Sequence, residues 1–423
     1  MSKSITARPK VQDQPGLLHA GVDLALEKNF VKVIDAQAKR LDQFSFSQDR
    51  GGYDYCFSRL EALRQKHQAA GMVIAMEPSN FFWKLLAAEL EHRRISYRLV
   101  NAYTVKKHRE GNQLDTSKDD RRDAAQIAEL SRCGYFTRTH LQKGVYEELR
   151  QYATLHEQIQ RSLTREKNVL WGLVGQVFPE LSQVVQDLRG ETAQALLRRG
   201  VPAAWIRQMG WDDFLAQTRA TFTGRKLAVS KLRRVHAWAA TSIGLTEGLT
   251  AIHLAIQVHL DQLQALQVQL QRVISAMSVC VKTLPEAPYL LSVPSLQVVS
   301  AALFLAEVGD PSRYQASAQW VKLAGLQPAP NTSGKKQRSK TPISRQGRGR
   351  LRYMLYFTCL RLIQQDETFA RLYAHLQRRP KNPLTKMQAI VVLMNKLLHI
   401  LWALIQNHTY YDPSFDQSIA FPA

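Results

Sequence analysis

The sequence predicts a mixed α/β domain at the N-terminus followed by a longer, mostly helical remainder. Three observations predict it. Short apolar runs of strand length crowd the first hundred residues, apolar residues at three-four spacing dominate from about residue 145, and the last third is helical apart from one basic loop. The 423 residues include 45% hydrophobic ones, enough for two or three packed domains, which excludes wholesale disorder and a collagenous chain. The 57 Lys+Arg against 35 Asp+Glu leave a formal net charge of +22 and point to a polyanionic partner, because Lys and Arg displace counterions from phosphates.

Leu17 to Leu24, Phe30 to Ile34 and Leu41 to Phe46 read as three strands. Gly51-Gly52 then opens a helix carrying Tyr53, Phe57, Leu60 and Leu63 at helical spacing. A second set follows: the apolar strand Gly71 to Met76, a helix from Asn80 to Leu90, and a short strand from Ile95 to Val100. Three strands, a helix, and strands alternating with helices make a sheet of RNase-H-like order in which the later strands are parallel. These elements make up a first domain, residues 1–142.

From residue 143 the period changes. Val145, Leu149, Tyr152, Ile159, Leu163, Leu170 and Val177 keep three-four spacing, interrupted at His156 and Glu166. Leu249, Ile252, Ile256, Leu263, Leu266, Leu270, Val273 and Met277 keep it more cleanly, with His259 out of place. Two long helices with a coiled-coil seam are expected, pairing within the chain or with another protomer. They would form a middle domain, 143–285, with a helical insertion at about 179–244 containing Trp205, Trp211, Phe214 and Phe222. The interrupting histidines lack neighbours at metal-ligand spacing and read as tolerated seam residues.

The last domain, 286–423, is mostly helical, with amphipathic helices over Leu351 to Ile363 and Met387 to Ile405. A loop breaks it. Between Asn331 and Tyr353 stand Lys335, Lys336, Arg338, Lys340, Arg345, Arg348, Arg350 and Arg352 with no acid among them, a candidate phosphate grip. Cys56, Cys133, Cys280 and Cys359 form no C-x-x-C pair, which argues against a zinc module or a secreted disulfide framework and fits a reducing cytoplasm. The opening MSKSITARPK has no apolar core, and Asn395, Lys396 and His399 break the longest apolar stretch, so neither signal peptide nor membrane span is expected.

Two constellations could carry chemistry. Asp23 ends the first strand, Glu77 ends the Gly71 to Met76 strand before Pro78, and Asp120-Arg-Arg-Asp123 places two carboxylates on one face of a helix's first turn, with Asp119 available as a cap. Four acids brought together need cations between them, and such oxygen-rich sites suit Mg²⁺ or Mn²⁺. Two ions about 4 Å apart would stabilise the attacking and leaving oxygens of phosphoryl transfer. Taken singly, each acid also reads as a turn residue or a helix N-terminus complementing its dipole. The basic loop holds Asn331-Thr-Ser-Gly334, where Ser333, open beside a glycine and among cations, could attack a phosphodiester. Ser344 in Ile343-Ser-Arg-Gln-Gly347 competes on the same grounds, and either serine could simply turn a phosphate-binding loop.

In order along the chain, Gly21-Val-Asp23, Ala75-Met-Glu77-Pro-Ser, Lys118-Asp-Asp120-Arg-Arg-Asp123-Ala, Gly309-Asp310 after an apolar helix, Ala324-Gly-Leu-Gln-Pro328, Ser333-Gly334 and Ile343-Ser-Arg-Gln-Gly347 with Leu351-Arg352 resemble the DEDD insertion-sequence transposases of the IS one-ten family, relatives of the Piv/MooV invertases. The resemblance covers nearly the whole chain except 179–244. It implies a RuvC-like N-terminal domain whose Asp23, Glu77, Asp120 and Asp123 bind Mg²⁺, a coiled-coil segment, and a C-terminal transposase domain whose Ser333 forms a covalent phosphoserine with DNA. It implies donor and target double-stranded DNA, a structured bridge RNA that guides both, and a dimer or tetramer in which the acids of one protomer meet the serine of another, in the cytoplasm at the nucleoid. The chain departs from the family at Pro294-Ser-Leu-Gln297, where Pro-Gly-Ile-Gly is common, and at Ser339-Lys-Thr-Pro342, which lacks the usual glycine. Two other activities use the same residues differently: a RuvC-like metal-dependent endonuclease or junction resolvase without a covalent intermediate, and a non-catalytic nucleic-acid scaffold.

Overall fold

The computed structural model describes residues 16–78, 81–112, 120–137, 141–329, 332–333, 336–337 and 341–413. The chain divides into two compact units, Met1–Gln142 and Lys143–Ala423.

The first unit is built on β1 (Leu17–Asp23), β2 (Lys28–Ile34), β3 (Arg40–Ser47), α1 (Arg50–Lys66), β4 (Gly71–Met76), α2 (Phe82–His92), β5 (Tyr97–Leu99), α3 (Ala102–Asn112) and α4 (Asp120–Arg132). Its five strands lie in the order β3-β2-β1-β4-β5. β2 runs antiparallel to β1 and β3, whereas β4 is parallel to both β1 and β5. β1 is the central strand and is buried on both faces, which is why its sequence is apolar without alternation. On one face Leu18, Ala20 and Val22 pack with Phe57 and Leu60 of α1 and with Leu86, Ala87 and Leu90 of α2. On the other, Ala75 and Val100 pack with Val105 of α3 and with Ile127 and Leu130 of α4. Two helix layers therefore enclose the sheet. α1 begins one residue before the expected Gly51, capped by the Asp49 carboxylate, which accepts from Gly52 N–H at 2.7 Å. α2 starts at Phe82 rather than Asn80, which lies outside the described residues.

The second unit contains α5 (Val145–Val177), α6 (Glu191–Arg199), α7 (Ala203–Ile206), α8 (Trp211–Ala220), α9 (Val229–Ala240), α10 (Leu249–Lys282), α11 (Ala287–Leu291), α12 (Val298–Val308), α13 (Ser317–Ala324), the two-residue strands β6 (Thr332–Ser333) and β7 (Lys336–Gln337), α14 (Gly349–Gln365), α15 (Glu367–Arg378) and α16 (Lys386–Asn407). α5 and α10 pair with each other inside the chain and run antiparallel: Leu245 N–H donates to the Gln176 carbonyl at one end, and Cys280 Sγ lies 3.6 Å from Glu148 at the other. Two of the three residues that interrupted the expected seams face each other between these ends, His259 Nδ1 lying 2.7 Å from Glu166 Oε2. α12 packs on both long helices, and the insertion's α6 to α9 share their core through Leu196, Leu197, Ile206, Phe214, Leu232 and Val235. α16 is the one described helix long and apolar enough to cross a membrane, but Leu393, Leu397, Leu398 and Leu401 are buried against neighbouring helices, as in a core helix. Burial pushes the Cys56 and Cys359 thiols up to about 12, so neither is a nucleophile at neutral pH.

Candidate active site

The parallel pairing of β1 with β4 sets the first part of the site. Gly21 is level with Ala75 and Val22 with Met76, so Asp23 and Glu77 are the next residues on two neighbouring strands, at their carboxyl ends. Neighbouring strands are about 4.8 Å apart. Open sheets of this kind bind ligands at such strand ends.

A glycine sets the helix that carries the remaining acids against β1. An ideal Cβ on Gly21 would sit 2.1 Å from the Ala124 carbonyl oxygen and 2.4 Å from the Ala128 nitrogen, so β1 and α4 touch backbone to backbone. The direction of α4 follows from its far end: Arg132 Nη1 donates to the Ala36 carbonyl at 3.1 Å, and Ala36 follows β2 at the end of the sheet where β1 begins. The start of α4 therefore lies at the carboxyl end of β1. Asp23 is about 6.6 Å beyond Gly21 along the strand, and Asp120 is about 6 Å beyond Ala124 along the helix, in the same direction. Asp123, next to Ala124, is buried. Arg98 of β5 holds the other end of α4 by donating to the Ser131 carbonyl at 3.1 Å.

As a donor set these residues fit a hard divalent cation, since they offer carboxylate oxygens from two strand ends and one helix turn and nothing soft. Among the described residues no three His, Cys, Asp or Glu side chains are gathered closely enough to form a metal site. The expected cap Asp119 lies outside the described residues.

The serine loop has a closed base and a short hairpin. At the base Ala329 N–H donates to the Pro342 carbonyl and Ser344 N–H to the Gln327 carbonyl, both at 2.8 Å. Gly325 caps α13 at φ +67°, and an ideal Cβ on Gly347 would stand 2.5 Å from the Gly325 nitrogen, so the base needs glycine at both positions. Ser344 belongs to this base: its hydroxyl donates to the Gly325 carbonyl and accepts from Gln346 N–H, both at 3.3 Å. Ser333 lies in β6 of the hairpin, paired with Lys336 of β7. Lys335, Arg338 and Lys340 lie outside the described residues.

Three of the eight cations expected on phosphates turn inward. Arg350 binds Glu157 of α5 at 2.7 Å and Glu307 of α12 at 3.2 Å. Arg348 donates to the Glu307 carbonyl, and burial holds its pKa below the usual arginine value, with Arg150 adding to the effect. Arg352 donates to the Ala324 carbonyl at 2.9 Å. Arg345 is exposed. The acids that claim these arginines are far off in sequence, but Glu307 had a signal: it is a single acid in the apolar run Val298–Val308, and it is buried. Arg350→Ala is expected to lower stability by about 3 kcal/mol, because the Glu307 side chain, 8% exposed, loses its nearer guanidinium. Thermal unfolding checks this; wild-type stability combined with weakened DNA binding would return Arg350 to the phosphate surface.

Residues 20–179 match the DEDD transposase model of the IS110 group, described as "Transposase", and residues 287–374 match the "Transposase IS116/IS110/IS902 family". The first span contains Asp23, Glu77, Asp120 and Asp123, and the second contains Ser333. The chain is 24% identical over 323 residues to the insertion element IS110 43.6 kDa protein of Streptomyces coelicolor, which covers 73% of this chain and 75% of that protein. It is 31% identical over 158 residues to a probable family 20 transposase of Pseudomonas aeruginosa, covering 36% of this chain and 45% of that protein. A third similarity, 30% over 129 residues, is to the insertion element IS900 42 kDa protein of Mycobacterium paratuberculosis and covers 30% and 31% of the two chains.

Proposed function

This chain belongs to the IS116/IS110/IS902 family of transposases, and on that footing we propose that it cuts and rejoins DNA through Ser333, using a divalent-cation site made by Asp23, Glu77, Asp120 and Asp123. The observation that carries the proposal is the register of β1 and β4 together with the direction of α4, which bring the strand ends bearing Asp23 and Glu77 and the helix start bearing Asp120 and Asp123 to one end of the sheet. The strand order, with β2 alone antiparallel to its neighbours, supports a RuvC-like reading of this unit. Bound there, Mg²⁺ or Mn²⁺ would supply Lewis-acid stabilisation of charge on the phosphoryl oxygens.

The chain's own groups divide the remaining work. The Ser333 oxygen forms a bond to phosphorus while its proton passes to a base. The deoxyribose oxygen that leaves takes up a proton, and the strand stays joined to the protein as a phosphoserine. Attack by the hydroxyl of another strand end reverses the step, rejoins DNA and restores the serine. Lys336, which pairs with Ser333 across the hairpin, would offset charge on the phosphoryl group. Ser344, engaged at the loop base, keeps the loop closed. Sequence selection is assigned to a structured guide RNA, which leaves this strongly basic chain to hold nucleic-acid backbones.

The test is strand cleavage of DNA carrying the element's ends, with the RNA that copurifies with the chain, as a function of Mg²⁺. Cleavage that appears only with the ion supports the reading, and binding without cleavage under any divalent ion leaves only a scaffold. With Arg348, Arg350 and Arg352 turned inward, the loop keeps Lys335, Lys336, Arg338, Lys340 and Arg345 for phosphates. Replacing those five by alanine is expected to reduce the slope of log K against log salt by about 4.5, whereas eight free cations would correspond to about 7.

A further inference from the structure

Between the start of α11 and the end of α16, Glu286, Tyr289, Ser312, Ile405, Gln406 and His408 line a cavity of about 210 Å³. Pockets for drug-sized molecules begin at roughly 300 Å³, so this one has room for a small molecule or a single side chain. Among the described residues Glu286 is the one acid lining it, and its carboxylate is half satisfied. Oε1 accepts from the Tyr146 hydroxyl at 3.0 Å, whereas Oε2 is shut off from water and has no hydrogen-bond partner among the described residues. No described lysine, arginine or histidine forms an ion pair with it. Burial raises the pKa of Tyr146, and the Glu286 and Asp310 carboxylates raise it further, so the phenol stays neutral and supplies no positive charge. A carboxylate held in this way calls for a cation.

The walls decide which cation. Tyr289 and His408 stand with ring centroids 5.5 Å apart, Tyr410 lies 5.6 Å from Tyr289 on the same measure, and Ile405 is buried. Aromatic faces next to a carboxylate suit an ammonium group on an alkyl chain, which sets its charge on the acid and lays its methylenes on rings and aliphatic carbon. A divalent metal ion would need roughly six oxygens, and the neighbouring Asp310 already spends Oδ1 on the Ser312 N–H and hydroxyl. A phosphate would meet the wrong charge, so the cavity serves a ligand other than nucleic acid. We propose that it binds a primary alkylammonium group, with the –NH₃⁺ on the Glu286 carboxylate and the alkyl chain against Tyr289 and Ile405. A free diamine and a lysine side chain of another protein present the same group. Because Tyr146 belongs to the first turn of α5 and His408 closes α16, an occupant also fastens the ends of those helices together. The inference rests on this cavity and stands whether or not the proposed chemistry does.

Equilibrium dialysis of labelled putrescine and, separately, of labelled Nα-acetyllysine methylamide against the full chain tests it, without nucleic acid and at fixed ionic strength. One saturable site per chain is expected, with a thermal unfolding midpoint that rises as the site fills. Glu286→Gln keeps the size of the side chain without its charge and is expected to weaken binding at least about tenfold. Tyr289→Leu is expected to weaken it about threefold or more. Melting curves of the ligand-free variants establish that each is folded before its binding is compared, and should Glu286→Gln unfold, Tyr289→Leu decides. Tighter binding of the lysine derivative identifies a protein side chain as the occupant, and tighter binding of putrescine a free diamine. Absence of a saturable site for both compounds in the wild type, or binding that is the same in the folded variants, would overturn the proposal.

Discussion

Gly21→Ala is expected to abolish strand cleavage and to lower stability by about 3 kcal/mol or more, although Gly21 is not one of the proposed ligands. The added methyl group would lie 2.1 Å from a carbonyl oxygen and 2.4 Å from an amide nitrogen of α4, and backbone atoms inside a helix cannot swing aside as a side chain can. α4 must lift, and Asp120 and Asp123 move with its first turn. Gly172→Ala in α5 is the control, since a Cβ there meets nothing within 4 Å and alanine favours the helix. Thermal unfolding and cleavage measured on both variants check the contrast. A Gly21→Ala protein that melts and cleaves like the wild type would mean that α4 does not press on β1.

Ser333→Ala is expected to leave DNA binding within about twofold of wild type and to remove every covalent protein-DNA adduct, because alanine has no oxygen to bond to phosphorus. Ser344→Ala should still form adducts, at a rate reduced by the loosened loop base, where its hydroxyl bonds the Gly325 carbonyl and Gln346 N–H. Denaturing gels of labelled DNA separate these outcomes. Nicked DNA appearing at the wild-type rate with Ser333→Ala would favour metal-dependent hydrolysis without a protein-linked intermediate.

The parts legible in the sequence were those where burial dictates composition. β1 and β4 are enclosed by helices on both faces, so their sequences are continuous apolar runs that end at Asp23 and before Glu77-Pro78. α5 and α10 announce themselves by heptads because one stripe of each is buried along its length. The rest depended on contacts between distant positions. α3 was not foreseen, since Val105 is its one buried residue among those described, and a single apolar residue carries no period. α15 did have Phe369, Leu372 and Leu376 at helical spacing, a signal that was present and not used. The pairing of His259 with Glu166 joins residues 93 apart, so each had looked like a defect in its own seam. The loop arginines carried the same ambiguity: a run of cations without local acids reads as a phosphate surface until Glu157 and Glu307 are brought to it from other helices. For the acids, sequence offered four candidates, and the register and the Gly21 contact now place their backbones at one end of a single sheet.

Equilibrium binding of Mn²⁺ to the full chain, read by electron paramagnetic resonance for wild type, Asp23→Asn and Asp123→Asn, tests that convergence most directly. Asparagine keeps the size of each side chain and removes its charge. Stoichiometric binding by the wild type, weakened at least about a hundredfold in each variant, is the predicted outcome for directly bound ligands. Titrations of both variants that superimpose on the wild type would contradict a shared cation site at the ends of β1 and β4.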